Sequence, residues 1–207
     1  MPDRRTALAL GAAFLALPAL PATAATRDNP MPEELREALE RDPNAPVLGN
    51  PDGDVTLTEF FDYNCPFCRR MVPVMRQLIG ADPKLRLVFR EWPIFGEGSD
   101  FAARAALASL PQGKYWQMHT GLMALKARAE EATVMRVVRD AGLDEGRLRR
   151  DMEGEAVLAH LARSQELADH MGLVGTPSFI AGDEGAFGAY TLAEMQGMVA
   201  RARATLR

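Results

Sequence analysis

The feature that most constrains this chain is the segment Cys65-Pro66-Phe67-Cys68, which holds both cysteines of the 207 residues. An apolar, β-branched and aromatic run from Val55 precedes it, and a helical pattern that accepts Pro66 in its first turn follows. Two cysteines three positions apart at the start of a helix can form a disulfide bond. The N–H groups and dipole of that helix lower the pKa of the Cys65 thiol. The segment therefore predicts a redox dithiol, in which Cys65 attacks and Cys68 resolves.

Two other uses of this spacing fit the sequence less well. Tetrahedral zinc needs about four ligands, but the chain has no second CxxC, and its histidines, His119, His160 and His170, lack ligand spacing. We therefore predict no metal and no cofactor other than the Cys65–Cys68 disulfide. A purely structural role is also disfavoured, because so short a ring removes little entropy from the unfolded chain. His119 lies on an aromatic-rich helix and is predicted to be a core residue.

The first 24 residues are predicted to be a secretory signal peptide. Arg4 and Arg5 precede an apolar stretch of about 11 residues, which is too short to span a bilayer, and Ala22-Thr23-Ala24 is a small-residue cleavage site. An ordinary Sec signal is favoured over twin-arginine export. The sequence thus predicts a periplasmic protein, in a compartment where a cysteine pair can stay oxidised.

The rest of the chain divides into four stretches: a short helical arm at 25–44, a strand-containing part at 45–95, an almost purely helical part at 96–170, and a final part at 171–207. The β-β-α-β order of the second stretch implies a mixed sheet with helices on its faces. The net charge of −4 is mild and no basic stripe is evident. Nucleic acids and membrane surfaces are therefore not predicted as partners.

Two positions outside the cysteine segment are also candidates for the site. Glu59 lies in the apolar strand; if buried, its pKa would be raised and it could exchange a proton with Cys68. A partly exposed glutamate at a strand edge is the alternative. Pro177 lies between a Gly-containing turn and a strand, where X–Pro makes a cis peptide accessible. Spacing alone leaves cis and trans equally open.

Two segments, Glu59–Cys68 and Gly175–Phe179, resemble the active-site segment and the cis-proline loop of DsbA-like thioredoxin-fold proteins. The helical stretch between them resembles the inserted helical domain of that family, and Pro73 matches its helix-kinking proline. The resemblance runs from about Val47 to Leu206. It implies an α/β thioredoxin fold, with a central mixed sheet flanked by helices and interrupted by an inserted all-helical domain.

The resemblance also implies roles for the site residues. Cys65 is expected to be the exposed nucleophile, Cys68 its buried partner and Glu59 the buried acid. Thr176 and a cis Pro177 would face the disulfide, with the Thr176 backbone pairing with an extended substrate chain.

Substrate contact is also expected at Pro66 and Phe67. We expect Phe67, Trp92 and Phe95 to border an apolar groove for unfolded chains, although core packing is favoured for Trp92. The best-known oxidases of the family have histidine where this chain has Phe67, and a phenyl ring cannot stabilise a thiolate as imidazole does. Arg69 and Arg70 would partly compensate if they reached the sulfur.

The predicted reaction is thiol–disulfide exchange through a mixed disulfide at Cys65. The favoured function is a monomeric periplasmic oxidase of reduced exported proteins, because the arm at 25–44 is too short for a coiled coil. A DsbB-like membrane oxidase would then reoxidise the pair. One alternative is an isomerase or reductase of the suppressor-of-copper-sensitivity (ScsC) type, supplied by a DsbD-like reductant. Another is a copper-handling or chaperone-like binding protein.

Overall fold

A five-stranded mixed sheet in the order β1-β3-β2-β4-β5 forms the centre of the computed structural model, which describes residues 30–206. The central pair, β2 and β3, is parallel, and the other pairs are antiparallel. The strands are β1 Val47–Gly49, β2 Val55–Phe61, β3 Leu85–Glu91, β4 Ser178–Ala181 and β5 Glu184–Phe187.

Helices account for most of the remaining chain. Five of them, α3 to α7, lie between β3 and β4, where the sequence predicts a helical insertion. The α-helices are α1 Glu33–Glu40, α2 Pro66–Ala81, α3 Glu97–Leu107, α4 Tyr115–Met123, α5 Glu131–Asp140, α6 Glu145–Asp151, α7 Glu155–His170 and α8 Leu192–Thr205. Helix α2 continues through Pro73. None of the helices described is long and apolar enough to cross a bilayer.

Strand β2 has the position predicted for it. All seven of its residues are buried, as expected for a strand that is paired on both edges and covered on both faces. Because side chains alternate along a strand, Leu57, Glu59 and Phe61 share one face, and Phe60 lies on the other. This strand ends four residues before Cys65. Because the strand is held in the core, it also determines the position in the fold of the cysteine segment that follows it.

Two hydrophobic clusters cover the two faces of the sheet. The larger one contains both cysteines and runs without a break from α2 and α8 into the helices α3 to α6. The smaller one lies between α1, the sheet and α7, and consists of Leu39, Phe60, Trp92, Leu167, Ala168 and Ile180. The insertion therefore shares its core with the sheet, and α7 packs partly on the sheet itself. The predicted domain limits at 96 and 170 remain predictions.

Two aromatic predictions are decided by this packing. The Trp92 side chain is buried in the smaller cluster, and its Nε1 donates to Gln165 Oε1 at 3.0 Å. The favoured role of Trp92, core packing, is therefore confirmed, and Trp92 does not border a groove beside the cysteines. His119 is buried as predicted, stacked on Phe89 with ring centroids 4.6 Å apart. Burial lowers the pKa of His119 to about 3, so the ring is neutral.

The helical arm predicted at 25–44 contains α1, preceded by Pro32. Arg36 of this helix forms an ion pair of 2.7 Å with Asp183 in the β4–β5 turn. Helix α1 thus packs against the sheet of its own chain. The predicted signal peptide and its cleavage site lie outside the described residues.

Candidate active site

The two cysteines lie where the sequence predicts, at the first turn of α2. Cys65 is the N-cap residue with an extended backbone, and Pro66 occupies the first helical position. The Cys68 backbone N–H donates to Cys65 Sγ at 3.4 Å, and the Cys65 thiol donates to the Thr176 carbonyl at 3.2 Å. Both cysteines are free thiols in this structure.

One prediction about Cys65 is wrong. The resemblance implies an exposed nucleophile, but only 1% of Cys65 is exposed. Cys65 is covered by a segment distant in the chain, since the loop that carries Thr176 places the Thr176 carbonyl against the Cys65 sulfur. Pro66, the next residue, is exposed. Cys68 is buried, as expected.

The environment separates the pKa values of the two thiols. Hydrogen bonding from the Cys68 side chain, followed by that from the Thr176 side chain and from the backbone N–H groups of Cys68 and Phe67, lowers the pKa of Cys65 to about 6, against an opposing effect of burial. Burial, together with the hydrogen bond to Cys65, raises the pKa of Cys68 far above its ordinary value. At neutral pH Cys65 is therefore mostly thiolate and nucleophilic, whereas Cys68 stays protonated.

The loop before β4 brings Thr176 to the sulfur. The Thr176–Pro177 peptide is cis, as the resemblance implies. The loop is fixed by Ser178 Oγ, which donates to the Gly175 carbonyl at 2.7 Å, and by the Gly188 N–H, which donates to the Pro177 carbonyl at 2.9 Å. The site is therefore assembled from two segments more than a hundred residues apart.

Glu59 is buried beneath this site, with 3% of its surface exposed, so the alternative of an edge glutamate is excluded. Desolvation, and to a lesser degree the charge of Cys65, raises the pKa of the carboxyl to about 8. Glu59 in turn contributes to the raised pKa of Cys68. The carboxyl and the two thiols are thus electrostatically coupled.

The surface beside the cysteines is apolar. Phe67 is 48% exposed and Phe95 is 44% exposed, and Val174, two residues before Thr176, is also exposed.

The Arg70 guanidinium lies 4.4 Å from the centroid of the Phe67 ring. Arg69 donates its hydrogen bonds to backbone carbonyls. Both guanidinium groups therefore contact groups other than the Cys65 sulfur. The condition for the predicted compensation, that Arg69 and Arg70 reach the sulfur, is not met.

Asp62, which was not among the predicted site residues, anchors the segment between β2 and the cysteines. Its buried carboxylate accepts four hydrogen bonds: from the backbone N–H groups of Asn64, Ile94 and Phe95, at 2.6, 2.7 and 3.0 Å, and from Ser99 Oγ at 2.7 Å. The only sequence signal was an aspartate directly after a buried strand. Its long-range donors could not be identified from spacing.

We expect Asp62→Asn to destabilise the fold by about 2–3 kcal/mol, because hydrogen bonds to a charged acceptor are strong and an amide nitrogen would face N–H donors. The measurement is the free energy of unfolding in urea at pH 7. The matched control is Asp54→Asn, which removes a partly exposed ion pair with Arg203 and should cost less than about 1 kcal/mol. Equal effects of the two variants would contradict the anchoring role.

The fold and the site together define a thioredoxin-fold thiol–disulfide oxidoreductase. Residues 56–200 match the family model described as the DSBA-like thioredoxin domain. The chain belongs to this family.

Solved structures agree with that assignment. A thioredoxin-like oxidoreductase from Silicibacter pomeroyi is 54% identical, with a TM-score of 0.80, over 82% of this chain and 98% of that one. A periplasmic thioredoxin-like protein from Salmonella enterica is 26% identical, with a TM-score of 0.76, over 85% and 99%. The catalytic domain of Proteus mirabilis ScsC is 25% identical, with a TM-score of 0.76, over 83% and 96%.

The curated relatives are much longer proteins. The Na⁺/H⁺ antiporter NhaA 3 of Salinispora tropica is 29% identical over 163 residues, which are 78% of this chain and 25% of that protein. The chain thus spans about a quarter of the length of the curated relatives it matches.

Proposed function

We propose that this chain is a periplasmic dithiol oxidase that transfers its Cys65–Cys68 disulfide to reduced exported proteins. The observation that carries the proposal is the position of Cys65 at the N-cap of α2, where the Cys68 N–H donates to its Sγ at 3.4 Å. In this environment the pKa of Cys65 is lowered to about 6, whereas that of the buried Cys68 is raised far above its ordinary value. A stabilised Cys65 thiolate stabilises the reduced form, and a stable reduced form makes the disulfide oxidising.

The exchange proceeds in two steps. A substrate thiolate attacks Cys65 Sγ, forming a mixed disulfide and breaking the bond to Cys68, which leaves and takes up a proton. A second substrate thiolate then attacks the substrate sulfur of the mixed disulfide, and Cys65 leaves as a thiolate. The substrate loses two electrons and the protein gains them. The low pKa of Cys65 makes it a good leaving group in the second step.

Glu59 is proposed to supply the proton that Cys68 takes up. With a pKa of about 8, most of this carboxyl is protonated at pH 7. It lies on the β2 face whose neighbouring residues, Leu57 and Phe61, belong to the cluster that contains both cysteines. A buried acid avoids releasing a second thiolate into an apolar environment, which burial disfavours.

Substrate binding is assigned to Pro66, Phe67, Thr176 and Pro177. Phe67 offers exposed apolar surface beside the motif, and the cis-proline loop offers backbone beside the sulfur. Backbone pairing and a non-directional apolar contact suit unfolded chains of varied sequence. We propose a DsbB-like membrane oxidase as the recycling partner.

A monomer is proposed because α1 packs against its own sheet. The helix has only eight residues, and it is tied to the β4–β5 turn through Arg36 and Asp183. It therefore does not extend from the fold as an association helix. Export to the periplasm is proposed from the predicted signal peptide and is consistent with the similar periplasmic protein of Salmonella.

A second candidate is a reductase or isomerase of the ScsC type, recycled by a DsbD-like donor. One observation favours it: Phe67 stands between the cysteines, and the described residues place no imidazole in hydrogen-bond contact with Cys65. The similarity to the ScsC catalytic domain is compatible with this candidate.

The reduction potential of the Cys65–Cys68 pair distinguishes the two functions. Reduction potentials are about −270 mV for thioredoxin, whose thiol pKa is about 7, and about −120 mV for DsbA, whose thiol pKa is about 3.5. The pKa of Cys65, about 6, lies between these two thiol pKa values, so the potential should lie between the two potentials, and the oxidase proposal predicts a value above about −200 mV. The measurement is equilibration with glutathione, followed by alkylation of free thiols.

Two variants test whether the potential responds to stabilisation of the Cys65 thiolate. Phe67→His should raise the potential, because an imidazole beside the sulfur stabilises the thiolate, whereas Phe95→His, at another exposed ring outside the motif, should not. A wild-type potential below about −200 mV would overturn the oxidase proposal in favour of the ScsC-type function.

A further inference from the structure

The side chain of Arg69 is bound in a way that the exchange reaction described so far does not explain. Arg69 follows Cys68 directly, and its guanidinium donates to three backbone carbonyls. Nε and Nη2 both donate to the Tyr63 carbonyl, at 3.1 and 3.0 Å, and Nη1 donates to the Leu125 carbonyl at 2.6 Å. A longer contact of 3.4 Å joins Nη2 to the Ala127 carbonyl. Among the residues described, no carboxylate pairs with Arg69.

Two of these acceptors belong to residues 124–130, the connection between α4 and α5, which we call the strap. The strap is also held from the other side of the motif. Asn64 Nδ2 donates to the Ala129 carbonyl at 3.1 Å, and the Ala129 N–H donates to Asn64 Oδ1 at 2.8 Å. The residues that flank the cysteine segment, Asn64 and Arg69, thus both bind the strap.

The third acceptor, the Tyr63 carbonyl, links the Arg69 side chain to the turn that carries Cys65. Its backbone N–H donates to the Cys65 carbonyl at 3.2 Å, and its guanidinium holds the carbonyl of Tyr63, two residues before Cys65. The Cys65 N–H closes the same turn by donating to the Asp62 carbonyl at 3.1 Å. The orientation of this turn determines how Cys65 Sγ meets the Cys68 N–H, 3.4 Å away, on which thiolate stabilisation partly depends.

We propose that Arg69 is a positioning residue for thiol–disulfide exchange: it ties the turn that carries Cys65 to the strap and so holds the Cys65 sulfur at its hydrogen-bond donor. The role follows from geometry rather than from proximity of charge, since the guanidinium is turned towards carbonyls. Arginine suits it because a planar group can donate twice to one carbonyl and still reach a second segment, which an ammonium group cannot do. The inference rests on the proposed exchange function.

The test compares three variants with the wild type. Arg69→Lys keeps the positive charge but loses the planar group with several N–H donors, and Arg69→Gln loses both. Arg76→Gln is the matched control, because Arg76 is an exposed residue of the same helix and has no side-chain partner among the described residues. The readouts are the equilibrium constant with glutathione at pH 7, the pH titration of Cys65 thiolate absorbance and hydrogen exchange of the Ala129 amide. Urea unfolding of the disulfide forms verifies that each variant is folded.

We expect both Arg69 variants to disfavour the dithiol form about fivefold, a fall of about 20 mV for a two-electron couple. The titration of Cys65 should move to higher pH, the Ala129 amide should exchange about tenfold faster, and Arg76→Gln should match the wild type.

Several results would overturn the inference. If Arg69→Lys matches the wild type while Arg69→Gln shifts, charge rather than positioning is the cause. If neither shifts, or if Arg76→Gln shifts equally, Arg69 has no specific role. If Arg69→Gln does not fold, Arg69→Lys alone decides. A wild type that fails to exchange with glutathione would instead contradict the proposed function.

Discussion

Replacing Cys65 by alanine is expected to reduce catalysed exchange to the rate measured without protein, because the remaining thiol, Cys68, is buried and stays protonated and is therefore a poor nucleophile. Cys68→Ala should behave differently. It retains the Cys65 nucleophile but lacks the thiol that resolves the intermediate, so substrates should accumulate as mixed disulfides on Cys65. The measurement is recovery of disulfide-linked complexes from a periplasmic extract, separated without reductant.

The double variant, with both cysteines changed to alanine, is the control for trapping. Complexes that form equally well with the double variant would show that capture is not covalent. If Cys65→Ala traps substrates and Cys68→Ala does not, the assigned roles of the two cysteines are reversed. The roles follow from the pKa values, since Cys65 is the thiolate and Cys68 is the protonated thiol.

Replacing Glu59 by glutamine should change the pH dependence of stability. The folded-state pKa of about 8 lies above the ordinary value of 4.5, so the folded protein binds the extra proton between these values. The stability contribution is therefore complete below about pH 4.5 and is lost as the pH rises through 8. We expect the wild type to lose about 3 kcal/mol more than Glu59→Gln between pH 5 and pH 8, at about 1.4 kcal/mol for each pH unit.

The experiment requires the disulfide form. In the dithiol form the lowered pKa of Cys65 has the opposite effect, since a thiolate stabilised from about pH 6 adds stability as the pH rises. Desolvation is the larger cause of the Glu59 shift, so the shift should persist when the thiols are oxidised. Glu97→Gln, at an exposed position, is the control and should follow the wild type. Parallel pH profiles for the wild type and Glu59→Gln would contradict a buried, protonated carboxyl.

The predicted loss of wild-type stability as the pH rises and the proposed catalytic role of Glu59 have the same cause. Burying a carboxyl without a cation next to it costs stability at neutral pH, because the charged form is poorly solvated. The same burial keeps a proton available beside Cys68. A stability cost located at the site of reaction is consistent with a functional acid, whereas Asp62, with four donors, is a carboxylate arranged for stability.

The sequence by itself was sufficient to predict strand β2 and the helix start that carries the two cysteines. The β-branched run at Val55 predicted a fully buried strand, and the structure confirms it. The spacing of the two cysteines at a helix start predicted a redox pair, and the structure places both in the first turn of α2. These features are local, because strand periodicity, helix capping and the reach of a CxxC segment depend on residues close together in the chain.

Other features depended on which distant residues meet. The burial of Cys65 arises from a carbonyl 111 residues away. Two donors to Asp62, Ile94 and Phe95, are more than thirty residues away, and two acceptors of Arg69, Leu125 and Ala127, are more than fifty residues away. Core packing was favoured for Trp92, but which cluster it joins was not predicted: it lies with α1 and α7 on the opposite face of the sheet from the cysteines. No periodicity encodes such pairings, since they are set by the joint packing of two clusters and by the need to satisfy every buried polar group. The sequence therefore determined the chemistry available to this protein, and the tertiary structure decided the accessibility, protonation and positioning of the groups that carry it out.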